Sequence, residues 1–280
     1  MSTVISSVIK LAEQIKIFQN LKKTIAFVPT MGGLHQGHLS LVDIAKKKAD
    51  IVVVSIFVNP TQFGKNEDFD KYPNTLANDK YLLEERGVNV IFTPSIDEIY
   101  PKGYQTNVEV SEIANLLCGA SRPGHFQGVV QVVKRLFELV KPNVAVFGEK
   151  DYQQLLVIKD MVERYQMNIA IISAPIVRET DGLAMSTRNQ YLSKQERQIA
   201  PKVYQVLEQI KKSLQRGESI NTVSTQAKNN LEQDFKLDYL EVLDANTLKQ
   251  INDNTTHIAV LCAVFLGSTR LIDNIVFAKE

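Results

Sequence analysis

Short apolar runs alternate with amphipathic stretches through the first 175 residues of the chain. The runs are rich in β-branched residues and predict strands at 25–28, 51–58, 88–93, 144–147 and 168–173. Between them, apolar residues at three- and four-residue spacing predict helices over 39–48, 75–86, 128–140 and 152–165. This alternation is typical of α/β proteins with a parallel sheet.

The predicted strand at 51–58 is almost continuously apolar, as in a parallel sheet that is covered on both faces. We therefore expect a Rossmann-like, doubly wound parallel sheet. In such a sheet, ligands bind beyond the carboxyl ends of the strands.

The pattern changes after Pro175. A loop over 178–189 leads to a predicted long helix over 193–216, where Ser193 and Glu196 form a capping box. A second helical pattern follows, and then three predicted strands at 237–244, 257–266 and 270–277, expected to be antiparallel. These elements predict a Rossmann-like domain over 1–176 and a smaller α+β domain over 177–280.

The charge and the hydrophobic content of the chain argue against a nucleic-acid-binding protein and a membrane-spanning protein. The chain has 32 basic and 31 acidic side chains and a formal charge of +1, so an extended nucleic-acid surface is disfavoured. Hydrophobic residues make up 44%, as in a soluble globular protein, and no apolar run is long enough to span a membrane. Since no export signal is visible either, we expect a cytoplasmic protein. Cys118 and Cys262 are expected to be small buried hydrophobes.

The sequence His35-Gln36-Gly37-His38 lies between the first predicted strand and the helix that follows it. Unsatisfied backbone amides and the helix dipole attract phosphate at such a place. Gly37 allows close approach of a ligand, and the two imidazoles add N–H donors. The motif favours nucleotide chemistry, and the alternative is a glycine-rich turn with a surface histidine.

Other polar clusters also follow predicted strands. Asn59 and Gln62 suit a hydroxyl-bearing substrate, although a turn with a helix cap is the simpler explanation when they are taken alone. Lys150 stands among carboxylates at a helix start, where it can reach a phosphate, and the alternative is an ordinary charged start of a helix. The segment 185–189 could cover a triphosphate or be a polar linker, and Asp79 could be ordinary surface charge.

A further cluster, the turn 122–126 (Arg-Pro-Gly-His-Phe), is ambiguous when taken singly. Together and in this order, the clusters resemble the pantoate–β-alanine ligase family, and the resemblance runs from about residue 4 to the end of the chain. The segments that carry it are 29–32, 35–38, 54–60, 122–126, 147–151, 188–189 and 270–274. Thr187 stands where this family commonly has a second serine, and Gly33 lies at a position that varies.

The resemblance implies an ATP-dependent ligase that joins pantoate to β-alanine through pantoyl adenylate, releasing pyrophosphate and AMP. It also implies Mg²⁺ and a homodimer. His35, His38 and Lys150 would be catalytic. Pantoate would be held by Gln62, Gln154 and Asn59, and Asp79 would be the carboxylate nearest magnesium.

The same resemblance assigns an ATP-binding set, in which Val177 would meet adenine through its backbone. The full set is Met31, Gly32, Gly33, Leu34, His35, Gln36, Gly37, His38, Gly148, Glu149, Lys150, Asp151, Val177, Met185, Ser186, Thr187 and Arg188. The C-terminal domain is expected to act as a lid that excludes water from the adenylate.

Two other functions stay open at this point. One is another adenylyltransferase with the same histidine motif and a different small acid as substrate. The other is a noncatalytic nucleotide sensor, which would need phosphate-binding groups but has no use for the paired glutamines Gln62 and Gln154.

Overall fold

The chain alternates strands and helices up to residue 174, and then places three helices before three strands. The computed structural model describes residues 2–65, 67–104 and 107–279. The strands are β1 (Thr3–Ile5), β2 (Ile25–Thr30), β3 (Ile51–Ile56), β4 (Val90–Phe92), β5 (Val144–Gly148), β6 (Ala170–Ala174), β7 (Lys236–Asp244), β8 (His257–Leu266) and β9 (Thr269–Ala278). The α-helices are α1 (Val8–Asn20), α2 (Gln36–Lys46), α3 (Leu76–Glu85), α4 (Ile96–Ile99), α5 (Cys118–Ser121), α6 (His125–Val140), α7 (Tyr152–Arg164), α8 (Lys194–Ile199), α9 (Lys202–Gln215) and α10 (Ile220–Leu231).

Strands β1 to β6 form one parallel sheet in the order β1-β4-β3-β2-β5-β6. The predicted doubly wound sheet is therefore confirmed. The strand order reverses between β2 and β5, because β3 and β4 lie on one side of β2 and β6 lies beyond β5. The carboxyl ends of β2 and β5 thus flank the switch point, where doubly wound folds bind ligands.

The chain divides into two compact units. Unit 1 comprises Met1–Asn115, Arg122–Glu149 and Gln153–Pro175, and unit 2 comprises Leu116–Ser121, Lys150–Tyr152 and Ile176–Glu280. The predicted domains, 1–176 and 177–280, stay a prediction. The units differ from them in assigning Leu116–Ser121, Lys150–Tyr152 and Ile176, which all lie in the predicted first domain, to unit 2.

Unit 2 contains the antiparallel sheet β7-β8-β9, as predicted, with α9 and α10 packed on it. The single helix predicted over 193–216 is wrong, since α8 ends at Ile199 and α9 begins at Lys202. Pro201 explains the break, because proline has no N–H to donate and its ring clashes with the carbonyl four residues earlier. The predicted capping box of Ser193 and Glu196 is present.

The sequence analysis missed β1 and α1. Strand β1 has three residues, of which two are exposed, so it lacks a clear pattern. Helix α1 exposes the apolar residues Ile9 and Ile17, and Leu21 is exposed just beyond its end, which blurs the periodicity. Within the described ranges, no helix combines the length and the hydropathy needed to cross a bilayer. Both cysteines are buried, as expected.

Leu207 of α9 is fully buried in the core of unit 2. We expect Leu207→Ala to lower the free energy of unfolding by about 2–5 kcal/mol, because it removes apolar contacts and leaves a cavity. Thermal and denaturant unfolding will measure the loss. Gln209→Ala is the control, since Gln209 is exposed on the same helix, and an equal loss in both variants would contradict the proposed core.

Candidate active site

The loop 31–34 leaves the carboxyl end of β2 in a conformation that needs glycine. Gly32 has a φ of +85° and Gly33 a φ of +63°, which L side chains rarely adopt. A Cβ atom on Gly32 would also lie 3.0 Å from Oδ2 of Asp79 and 3.1 Å from Cγ2 of Ile56. A side chain at Gly32 would therefore be strained by its backbone conformation and also crowded by these two neighbours.

Asp79 holds this loop from the first turn of α3. Its carboxylate accepts hydrogen bonds from the backbone N–H groups of Gly33 (3.0 Å) and Leu34 (2.9 Å). The hydroxyl of Thr75 lies 3.1 Å from both carboxylate oxygens. Asp79 is only 1% exposed, so its description as surface charge does not hold. A buried carboxylate is tolerated where it is hydrogen-bonded in this way.

The histidine motif forms the first turn of α2. This helix begins at Gln36, three residues before the predicted start, and His35 is its N-cap residue. Nδ1 of His35 accepts from the N–H of Gly37 (3.1 Å), and Nδ1 of His38 accepts from the N–H of His35 (3.4 Å). The two rings are 4.1 Å apart between centroids.

These contacts determine where each ring carries its proton. A backbone N–H can only donate, so Nδ1 of His35 and of His38 must be the acceptor. The neutral form of each ring then has its N–H at Nε2. The helix start consequently combines the positive end of the helix dipole with two imidazole N–H donors, which suits a polyanion.

The turn after β3 is built around Asn59, which is 1% exposed. Its Nδ2 donates to Oε1 of Gln62 (3.0 Å) and to the carbonyl of Gly128 (3.2 Å). Its Oδ1 accepts from the N–H of Thr61 (3.3 Å) and the hydroxyl of Tyr100 (2.9 Å). Asn59 thus caps the short 3₁₀ helix Pro60–Gln62, the simpler of the two alternatives that the sequence left open.

Gln62 connects this turn to the loop after β2. Its Nε2 donates to Sδ of Met31 at 3.2 Å. Since Asn59 occupies Oε1, the orientation of the amide is fixed, with the NH₂ group toward Met31. Gln154, the second predicted pantoate residue, lies half-buried on α7 in the same unit. Unit 1 therefore contains the histidine motif, Asp79 and both predicted glutamines.

Unit 2 contains Lys150 and the segment 176–189. The carbonyl of Lys150 accepts from Nδ2 of Asn274 on β9 (3.0 Å), a contact that the sequence did not predict. The N–H of Met185 donates to the carbonyl of Val177 (3.0 Å). Ser186 caps the 3₁₀ helix Thr187–Tyr191 by accepting from the N–H of Arg188 (3.3 Å).

An ion pair between the partly buried Arg178 and the buried Asp273 lies at the start of that segment. The guanidinium of Arg178 donates to both carboxylate oxygens of Asp273 (2.6 and 2.9 Å) and lies 3.7 Å from the centre of the Tyr204 ring. Burial raises the pKa of Asp273, and the contact with Arg178 opposes that shift. Asp273 belongs to the motif 270–274, whose role the sequence analysis left unassigned.

The His, Cys, Asp and Glu side chains of the described residues do not form a site that would hold a Mg²⁺ ion by protein groups alone. Among the described residues, no group of three or more His, Cys, Asp and Glu side chains is placed to hold a metal. The carboxylate of Asp79 accepts backbone and hydroxyl hydrogen bonds on both oxygens. The assignment of Asp79 to magnesium therefore stays a prediction.

Comparison with known proteins agrees with these features. A sequence model described as "Pantoate-beta-alanine ligase" matches residues 3–276. The pantothenate synthetase of Vesicomyosocius okutanii subsp. Calyptogena okutanii is 57% identical over 272 residues, covering 97% of this chain and 96% of that protein. The pantothenate synthetase of Shewanella loihica is 50% identical over 269 residues, covering 95% of each.

Solved structures agree as well. The pantothenate synthetase of Thermus thermophilus has a TM-score of 0.92 at 42% identity, with 98% of both chains covered. The Francisella tularensis pantoate-beta-alanine ligase, complexed with beta-gamma ATP and beta-alanine, has a TM-score of 0.82 at 38% identity, covering 100% of this chain and 98% of that one. The chain belongs to the pantoate–β-alanine ligase family.

Proposed function

We propose that this chain joins pantoate to β-alanine in an amide bond and converts ATP to AMP and pyrophosphate. Family membership supports the reaction. The single structural observation that carries it is the start of α2, where two imidazoles have their Nε2–H donors at the positive end of a helix dipole. Gln62, a neutral hydrogen-bonding group suited to a hydroxy acid, contacts Met31 of the adjoining loop.

In the first half-reaction, a carboxylate oxygen of pantoate attacks the α-phosphorus of ATP and pyrophosphate leaves. Both reactants are anions, so the step needs charge neutralisation and alignment. Holding reactants in line can supply roughly 7–11 kcal/mol of the barrier. A donor directed at developing negative charge can supply about 3–4 kcal/mol. In the second half-reaction, the amine of β-alanine attacks the acyl carbon and displaces AMP.

His35 and His38 act in this scheme as hydrogen-bond donors. Their Nε2–H groups would stabilise the oxygens of the pentavalent phosphorus, while Nδ1 stays bound to the backbone. No proton transfer from His38 is required, because pyrophosphate leaves as a stable anion.

Gln62 and Gln154 would hold the hydroxyls and carboxylate of pantoate. The structure supports a different part for Asn59, the third predicted pantoate residue. Its donors and its acceptor oxygen are engaged within the protein, so we propose that Asn59 acts through Gln62.

Lys150 would neutralise charge on the ATP phosphates, and the other predicted ATP-binding residues of 148–151, 177 and 185–188 keep the roles that the resemblance implies. We also propose that the ATP is bound with Mg²⁺, that the protein is a homodimer, that it is cytoplasmic and that it binds no nucleic acid. The family likeness supports the first two, and the near-neutral charge of the chain supports the last.

The reaction is tested by product analysis after incubation with ATP, Mg²⁺, pantoate and β-alanine. We expect pantothenate, AMP and pyrophosphate in equal amounts. ATP–pyrophosphate exchange should depend on pantoate. Exchange that needs a different carboxylate would favour the other adenylyltransferase, and ATP binding without AMP formation would favour the nucleotide sensor.

His38→Ala and Lys150→Ala are each expected to slow adenylate formation at least about 100-fold, since each removes a donor directed at phosphate charge. Pyrophosphate release in a single turnover measures the step. His257→Ala and Lys159→Ala are matched controls at exposed positions and should stay near the wild-type rate. Near-normal pyrophosphate release in either test variant would refute the proposed role of that residue.

Asp79→Asn tests whether Asp79 holds the loop or a metal. The variant replaces one accepting oxygen by an NH₂ group, so one loop amide loses its acceptor, at a cost of about 1–3 kcal/mol. Calorimetry should show similar weakening for ATP with and without Mg²⁺. Weakening only with Mg²⁺ would instead support a metal role. Asp43→Asn, at a partly exposed ion pair with Arg86, should bind ATP normally.

A further inference from the structure

The turn 122–126 and the start of α6 have no part in the scheme above, yet they contact the backbone of Gln62. We propose that His125, Arg122 and Gly128 are positioning residues that fix Gln62 and thereby set the affinity for pantoate. This inference rests on the proposed role of Gln62. All four residues belong to unit 1.

His125 contacts the carbonyl oxygen of Gln62 directly. Its Nδ1 lies 2.8 Å from that oxygen, and its Nε2 lies 2.9 Å from a guanidinium nitrogen of Arg122. A carbonyl only accepts and a guanidinium only donates, so Nδ1 is the donor and Nε2 the acceptor. The neutral ring therefore bridges Arg122 and Gln62 in one defined tautomer.

Arg122 supports the same carbonyl from a second direction. One terminal nitrogen lies 3.4 Å from the oxygen of Gln62, and the guanidinium forms a two-point ion pair with Glu67 (2.6 Å for both contacts). Burial, the largest single influence, raises the pKa of the Glu67 carboxyl. The hydrogen bonds and positive charge of Arg122, together with a backbone hydrogen bond from Gly64, outweigh burial and lower that pKa overall. A bidentate pair of this kind fixes the plane of the guanidinium.

Gly128 lets the helix approach the turn. A Cβ atom on Gly128 would overlap the carbonyl oxygen of Thr61 and lie 2.8 Å from the backbone nitrogen of Gln62. The carbonyl of Gly128 also accepts from Asn59, whose amide holds the side chain of Gln62. The start of α6 therefore constrains Gln62 at its backbone directly and at its side chain through Asn59.

A double-mutant cycle separates positioning from general stabilisation. We expect His125→Ala to raise the KM for pantoate about tenfold, the equivalent of one to two hydrogen bonds, with the KM for ATP unchanged. In a Gln62→Ala background, His125→Ala should have little further effect, because the side chain it positions is gone. Glu138→Gln, on the same helix and partly exposed, is the control and should change neither KM.

Two more variants strengthen the test. His125→Asn keeps an N–H near the position of Nδ1 and should restore part of the affinity for pantoate. Gly128→Ala should raise the KM for pantoate more than His125→Ala, since it displaces the backbone of the turn. Circular dichroism and thermal unfolding will establish that each variant is folded. If His125→Ala is not folded, His125→Asn replaces it in the double-mutant cycle.

Equal effects of His125→Ala in the wild-type and Gln62→Ala backgrounds would overturn the positioning role, while leaving the proposed function intact. A parallel rise in the KM for ATP would also overturn it, since that indicates a structural defect. If Gln62→Ala leaves the KM for pantoate unchanged, the proposed role of Gln62 fails and the positioning role fails with it.

Discussion

The buried carboxylate of Asp79 is the contact on which the proposed active site depends. The carboxylate accepts hydrogen bonds from the backbone N–H groups of Gly33 and Leu34, and so holds the two-glycine loop between β2 and α2. That loop determines where α2 starts and therefore where both motif histidines stand. Because unsatisfied buried amides are costly, loss of this carboxylate would disturb the loop before it affected any reacting group.

Backbone contacts also select the tautomers of three histidines, in two opposite ways. His35 and His38 accept backbone N–H groups at Nδ1, so their neutral rings are donors at Nε2. His125 faces a carbonyl at Nδ1 and a guanidinium at Nε2, so its proton is on Nδ1. The first arrangement suits donation to a phosphate, whereas the second suits a structural bridge. We therefore propose binding roles for His35 and His38 and a positioning role for His125.

Much of the fold could be predicted because its strands are nearly continuous apolar runs and its longer helices have a clear periodicity. The prediction failed where local chemistry overrode the pattern. Pro201 divides the helix predicted over 193–216. Helix α2 starts early because histidine, which is not a usual capping residue, fills the N-cap position.

The candidate site was predictable as a set of residue types but not as a network. The sequence predicted that His38 and Gln62 follow strands. Because parallel strands have their carboxyl ends at one edge of the sheet, it also predicted that the two residues lie at the same edge. It gave no sign that Asn59 would be buried, that Asp79 would accept loop amides, or that His125 would contact Gln62. Those contacts join residues that are 45 to 69 positions apart, and only the packed structure relates them.

The most direct test of the central claim is a crystal structure of the protein with ATP and pantoate. We expect the phosphates at the start of α2, with the α-phosphate oxygens within hydrogen-bond distance of Nε2 of His35 and His38. Pantoate should contact the amide of Gln62. A nucleotide bound away from both imidazoles, with Gln62 contacting no ligand, would contradict the proposed site.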